Sequence, residues 1–110
     1  QNDLFCYDGD TCYVIYEGKK DKVRLLDLDT PEISNPKCEK EYILGIEARE
    51  YINQLISEGK RIEFETEYNR DFFGRILSYI IVDGENVSKL MVSHSLGVVY
   101  DKNNKKDWCE

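Results

Sequence analysis

The stretch VRLLDLDTPE, residues 23–32, starts as a strand and ends as a cluster of acids. Val23, Leu25, Leu26 and Leu28 supply the apolar content of a buried strand, while Arg24, Asp27, Asp29 and Glu32 put four charges into ten residues. Alternation sets Arg24, Leu26 and Leu28 on one face and Leu25, Asp27 and Asp29 on the other, so Arg24 and Asp29 cannot meet in an unbroken strand. The ladder must bend or end near Asp29, and Pro31 supplies the ending, letting Asp29, Thr30 and Glu32 curl over the strand end. DGDT (8–11) and RDFFGR (70–75) are two further charged stretches where strands should end. Each stretch by itself reads as a turn or a surface pair, since Asp and Gly are good turn formers. Strand pairing that brings Asp10 beside Asp29 changes the reading, because two carboxylates about 5 Å apart repel by roughly 3 kcal/mol at an effective dielectric near 20. A divalent cation with hard oxygen ligands, calcium above all, is the natural counter-charge.

The elements that must hold these residues follow from periodicity. TCYVIY (11–16) and KVRLLDL (22–28) are rich in β-branched and aromatic residues and flank a turn around Gly18, which predicts a hairpin. After Pro31 a polar loop leads to GIEAREYINQLISEG (45–59), where Ile46, Tyr51, Ile52, Leu55 and Ile56 recur at helical spacing and Gly59 is the stop. RIEFETEY (61–68) alternates with one face wet, RILSYIIV (75–82) is a further strand turned by Asp83-Gly84, and ENVSKLMVSHSLG (85–97) carries Val87, Leu90 and Met91 on one helical face. About five strands with one helix after the third and another after the fifth predict a small β-barrel with helices at its side, an α+β domain spanning residues 1–110.

With 41% hydrophobic residues the 110-residue chain can bury its own core, and no apolar run approaches the roughly 18 residues of a membrane span. A monomer away from the membrane is expected. Four cysteines in so short a chain fit an oxidising compartment, so a secreted or periplasmic location is expected; the start at Gln1 is compatible with a cleaved leader. If Asp8-Gly9-Asp10 is a hairpin turn, Cys6 and Cys12 face each other across two strands, which favours Cys6 with Cys12 and Cys38 with Cys109. The other two connectivities and four buried free thiols stay open. The net charge of −7 argues against bulk electrostatic attraction to nucleic acid, so any anionic substrate must be met by a local basic patch or a metal.

From DGDT through VRLLDLDTPE and RDFFGR to LMVSHSLGVVY, nearly the whole chain resembles the staphylococcal nuclease (thermonuclease) family. The resemblance implies a five-stranded OB-type Greek-key β-barrel with two to three accessory helices. It implies calcium-dependent hydrolysis of phosphodiester bonds in DNA and RNA, preferentially single-stranded, leaving 3′-phosphate and 5′-hydroxyl ends. Asp10 and Asp29 match the carboxylate ligands of the calcium ion, and Thr30 matches the residue that adds its backbone carbonyl. Glu32 matches the acid near the attacking water, and Arg24 and Arg75 the guanidinium groups on the scissile phosphate. Phe72 and Phe73 stand where the family commonly has a basic residue and a tyrosine; Phe73 keeps a stacking face for the substrate, and Tyr100 matches a tyrosine of the nucleotide pocket. Ser95 stands where the family often has a helix-ending glycine, with Gly97 in position to compensate.

A second class of function is a catalytically inactive OB-type module that binds single-stranded nucleic acid or a protein partner, motivated by the acidity and by Phe72-Phe73. A calcium site serving stability alone is a third reading. Asp8 and Asp27 are expected to support the arginines or ligands. His94 is expected to face solvent, Trp108 to anchor the tail, and the basic run in DKNNKKDWCE to be a solvated face.

Overall fold

A computed structural model describes residues 3–110. Residues 1 and 2, where the domain is expected to begin, lie outside the described residues. The first three strands, β1 (Leu4–Asp8), β2 (Thr11–Tyr16) and β3 (Lys19–Leu25), form an antiparallel meander. Glu17 and Gly18, at φ 51° and 79°, make the tight β2–β3 turn, whose left-handed backbone matches the twist of the paired strands. Cys6 lies directly opposite Cys12 and the two are disulfide-bonded, as are Cys38 and Cys109.

The third strand starts and stops earlier than the sequence predicts, at Lys19 and Leu25 rather than 22 and 28. The tight turn lets pairing begin at Lys19, while Asp27 takes a left-handed φ of 57° and breaks the ladder. Leu28 still reaches the core, fully buried, but from a loop.

Helix α1 (Glu39–Glu58) begins six residues before the predicted start at Gly45. Cys38 caps it, its sulfur accepting the Glu41 N–H at 3.4 Å, and Glu39 and Glu41 favour the positive end of the helix. Ala48, Ile52 and Ile56 form its buried stripe. Asn53 brackets Cys6, accepting its N–H at 2.9 Å and donating to its carbonyl at 2.6 Å, so the helix satisfies backbone groups on the outer edge of β1.

Strand β5 (Ile76–Val82) pairs parallel with β3 and antiparallel with β4 (Ile62–Thr66), giving the order β1-β2-β3-β5-β4. A two-residue strand β6 (Glu85–Asn86) turns back on β5, so the sheet has six strands where five were predicted. The predicted helix 85–97 is confined to α2 (Val87–Ser93), capped by the Asn86 side chain on the Ser88 N–H. Ser95 itself adopts the left-handed helix-ending conformation, φ 62°, so Gly97 does not substitute for it. Val98 then exchanges two backbone hydrogen bonds with Asp29, at 2.8 and 2.9 Å.

The expected α+β class is therefore observed, with two helices and a core of Leu25, Leu28, Ile52, Ile80, Val87 and Met91. Trp108 is buried in the tail as expected, and His94 is exposed and meets the Tyr51 hydroxyl at 3.1 Å. The Cys38–Cys109 bond closes a separation of 71 residues. A loop that long corresponds to about 4 kcal/mol of lost chain entropy in the unfolded state. The Cys38→Ser, Cys109→Ser variant should lose about 2–4 kcal/mol of unfolding free energy in a urea titration; an unchanged midpoint would refute that role.

Candidate active site

The β1–β2 turn and the loop after β3 meet at Thr30. Asp8 closes the turn by accepting the N–H groups of Asp10 (3.1 Å) and Thr11 (2.9 Å). A Cβ on Gly9 would stand 2.8 Å from the Thr30 side chain, and one on Gly97 would stand 2.6 Å from Leu28 and 3.3 Å from Thr30, so both glycines are there for close approach. Between them Thr30 donates its N–H to Asp10 Oδ2 at 3.1 Å. Asp29 is fixed through its backbone by Val98. Asp10 and Asp29 are consequently both buried, 7% and 5% exposed, although they lie 19 positions apart in the chain.

Cationic side chains answer these acids. The Arg24 guanidinium lies 3.4 Å from Asp10 Oδ2 and donates to the Leu25 carbonyl at 3.1 Å. The Lys105 ammonium lies 3.3 Å from Asp29 Oδ2. The balance remains strained. Burial, followed by the charge of Asp10 and a hydrogen bond with it, pushes Asp8 up to about 7. Glu32 is raised above the usual carboxylate range by desolvation and by Asp10, with Lys105 opposing the shift and Glu41 and Asp29 adding to it. Glu41, buried at the first turn of α1, accepts the N–H groups of Glu32 (3.1 Å) and Lys37 (2.8 Å) and so shapes the loop that carries Glu32.

The second arginine is set by a local turn. Asp71 Oδ1 accepts the N–H groups of Phe73 (3.0 Å) and Arg75 (2.8 Å), and its Oδ2 takes the Arg75 Nε–H at 2.8 Å. Among the described residues, this leaves the terminal nitrogens of Arg75 without a carboxylate partner. Arg24, Arg75, Phe72, Phe73 and Tyr100 line one cleft of about 530 Å³. Each guanidinium rests near an aromatic face, Arg24 at 5.7 Å from the Tyr100 centroid and Arg75 at 5.5 Å from that of Phe73. Asp29, Thr30, Glu32, Glu41 and Lys105 border a smaller depression of about 80 Å³. Asp10 joins the two through Arg24 and Thr30.

The donor set suits a hard cation. Asp10, Asp29 and the Thr30 carbonyl are oxygen donors, and the Thr30 Oγ1 is a buried polar atom with no hydrogen-bond partner among the described residues. No group of three or more His, Cys, Asp or Glu side chains converges as a metal cage among the described residues, so a cation held there would need further ligands from backbone, water or substrate.

Sequence reasoning expects Asp27 to support the arginines or ligands; it lines the arginine cleft, where its side chain accepts the Tyr79 hydroxyl from a position that has left the strand. Asp8, expected to support the arginines or ligands, accepts the N–H groups of the candidate ligand Asp10 and of Thr11. Asp71, Glu41 and Lys105 were missed as parts of the site. Asp71 could have been found from its place in a short Gly-containing turn, and Glu41 from its position three residues after a cap. Lys105 stands 76 residues from Asp29, and no local pattern announces it.

Residues 22–109 match the family described as staphylococcal nuclease homologue, and the chain belongs to that family. It is 42% identical over 103 residues to endonuclease YncB of Bacillus subtilis, covering 89% of this chain and 48% of that protein. It is 39% identical over 103 residues to the prophage-derived endonuclease YokF of the same organism, covering 89% and 34%. An uncharacterized endonuclease of Escherichia coli is 33% identical over 98 residues, covering 88% and 58%. The chain thus spans between 34% and 58% of the length of these relatives.

The Asp71 turn predicts an acid limb of stability. Desolvation pushes Asp71 up, but the backbone N–H and guanidinium of Arg75, together with the Phe73 N–H, outweigh it and hold the carboxyl below its usual range. Its contribution is complete above the ordinary value of about 3.9 and is lost as pH falls through the lower folded value. In urea titrations the stability gap between wild type and Asp71→Asn should shrink from pH 5 to pH 2; a constant gap would count against the ion pair.

Proposed function

We propose that this domain is a calcium-dependent nuclease that hydrolyses phosphodiester bonds of DNA and RNA, leaving 3′-phosphate and 5′-hydroxyl ends, in a secreted or periplasmic setting. The observation that carries the reading is the junction at Asp10. Two buried carboxylates clamped around Thr30 adjoin a cleft lined by two arginines, each resting near an aromatic ring. The endonuclease names of YncB, YokF and the Escherichia coli relative support it. Two disulfides favour an oxidising compartment, and no helix among the described residues is long and apolar enough to cross a membrane. We further read the sheet as a rolled OB-type Greek key, with β6 an appendage, and the domain as a monomer over residues 1–110.

Asp10, Asp29 and the Thr30 carbonyl would hold the calcium ion, which when bound supplies Lewis-acid charge to a phosphate oxygen. Arg24 and Arg75 present planar, permanently charged forks to the equatorial oxygens of the phosphorus centre, where charge builds as water attacks. Glu32 orients that water and takes its proton as the new P–O bond forms. The P–O5′ bond breaks, and the departing 5′ oxygen takes a proton from solvent. Phe73 and Tyr100 offer faces on which unpaired bases can pack, which favours single-stranded substrate.

Cleavage of a fluorescent single-stranded DNA oligonucleotide in calcium and in EDTA tests the reading. Wild type should cut only with calcium, and Arg75→Lys should lower kcat by about 10²-fold or more, because an ammonium cannot reproduce the fork. No cutting under any condition would leave the binding-module reading in its place. Millimolar calcium should also raise the melting temperature, since a ligand at 100 times its Kd adds about 2.7 kcal/mol to the native state.

A further inference from the structure

The outer face of the β1–β2–β3 meander carries an aromatic and basic stripe that, Arg24 apart, the cleft does not use. Cys6, Cys12, Val23 and Leu25 point into the core, so the intervening residues point outward. The register sets Phe5 beside Tyr13 and Tyr13 beside Lys22, Ile15 beside Lys20, and Thr11 beside Arg24. The Tyr7 and Tyr13 rings are 5.5 Å apart, and the Lys20 and Lys22 ammonium groups lie 4.3 and 6.0 Å from the Tyr13 centroid. Phe5 and Tyr7 are 53% and 38% exposed, and both lysines are exposed.

This is a local reversal of charge in a chain with 22 acidic and 15 basic residues. Three successive outward positions of β3, Lys20, Lys22 and Arg24, are cationic. The acid within the same strand, Asp21, has the opposite parity and is taken up by Arg70 at 3.0 Å. Alternate residues of a strand are about 6.8 Å apart, so the three cations span about 14 Å, the reach of more than one nucleotide. Arg24 belongs to both the stripe and the cleft. The surface is therefore continuous with the proposed site and complementary in charge to a polyanion.

We propose that this face is a second nucleotide-binding track, on which a single-stranded polynucleotide leaving the cleft at Arg24 lays its phosphates along Lys22 and Lys20 and packs a base against Tyr7 and Tyr13. Exposed rings select unpaired bases, because those of a duplex offer no free face. The inference rests on the nuclease reading for its direction of travel, while its binding test does not require cleavage.

Fluorescence anisotropy in EDTA, with a labelled single-stranded 15-mer and a labelled trinucleotide, tests it on wild type, Lys20→Gln with Lys22→Gln, and Tyr13→Leu. The lysine pair should weaken 15-mer binding about fivefold or more and reduce the slope of log affinity against log salt by about 1.4, two phosphates at about 0.7 each. Tyr13→Leu should weaken it by about fivefold or more, with the salt slope retained. The trinucleotide should lose less in both cases. Unchanged 15-mer affinity, equal losses at both lengths, or the same loss from the remote pair Lys60→Gln with Lys89→Gln would overturn the track. Wild type that binds in this pattern and never cuts in calcium would sink the nuclease reading and leave the track standing. Because both lysines are exposed, their replacement tests the idea even if Tyr13→Leu destabilises the strand.

Discussion

Crowded carboxylates at one end of the β1–β2 hairpin are the constraint around which this structure is organised. Asp8, Asp10, Asp29, Glu32 and Glu41 gather about the loop through Thr30, and the raised values of Asp8 and Glu32 record their burial first and the charge of Asp10 second. An arrangement of this kind persists only where the backbone is over-determined and counter-charges are at hand. The turn hydrogen bonds of Asp8, the glycines on either side of Thr30 and the bridge from Val98 to Asp29 supply the first. Arg24 and Lys105 supply the second.

That arrangement explains why elements remote in sequence are tied to one place. Helix α1 contributes Glu41, which fixes the loop bearing Glu32, and Asn53, which holds the outer edge of β1. The segment after α2 contributes Gly97 and Val98, which press on Thr30 and Asp29. The tail brings Lys105 to Asp29, and its end is fastened to the start of α1 by Cys38–Cys109, with Trp108 buried beside it. A tail with little hydrogen-bonded structure of its own needs such fastening to hold a lysine at a defined position.

The two arginines are held in different ways, and this suits different tasks. Arg24 is anchored to carbonyl groups and to Asp10, so it couples the acidic end to the cleft. Arg75 is held through its Nε by an aspartate within the same turn, which orients the fork and leaves its outer nitrogens toward the cleft. Phe72 and Phe73, 95% and 77% exposed, stay at the surface because that turn projects them from the sheet. Exposed aromatic rings beside cations favour partners that have both a charge and a flat face, as unpaired nucleotides do.

How much could be read in advance depends on the range of the forces involved. The hairpin around Gly18, the stop at Gly59, the α+β class and the pairing of Cys6 with Cys12 rest on local periodicity and turn chemistry, which sequence displays directly. The candidate residues Asp10, Arg24, Asp29, Thr30, Glu32, Phe73 and Arg75 could be nominated in advance because they lie in compact ordered motifs, and Tyr100 only through the family resemblance. The early end of β3 was not, because it depends on Asp27 adopting a left-handed backbone and on β5 pairing only as far as Leu25. The early start of α1 was hidden as well, since it hangs on a sulfur cap from a disulfide-bonded cysteine. Lys105 reaches Asp29 only after the whole tail has been folded back, and the outward stripe of β3 joins Tyr7 and Tyr13 only once the register of three strands is set. The sequence determined the chemistry available at each turn; the tertiary structure decided which charges face one another, because that choice is made by long-range pairing and burial rather than by neighbours in the chain.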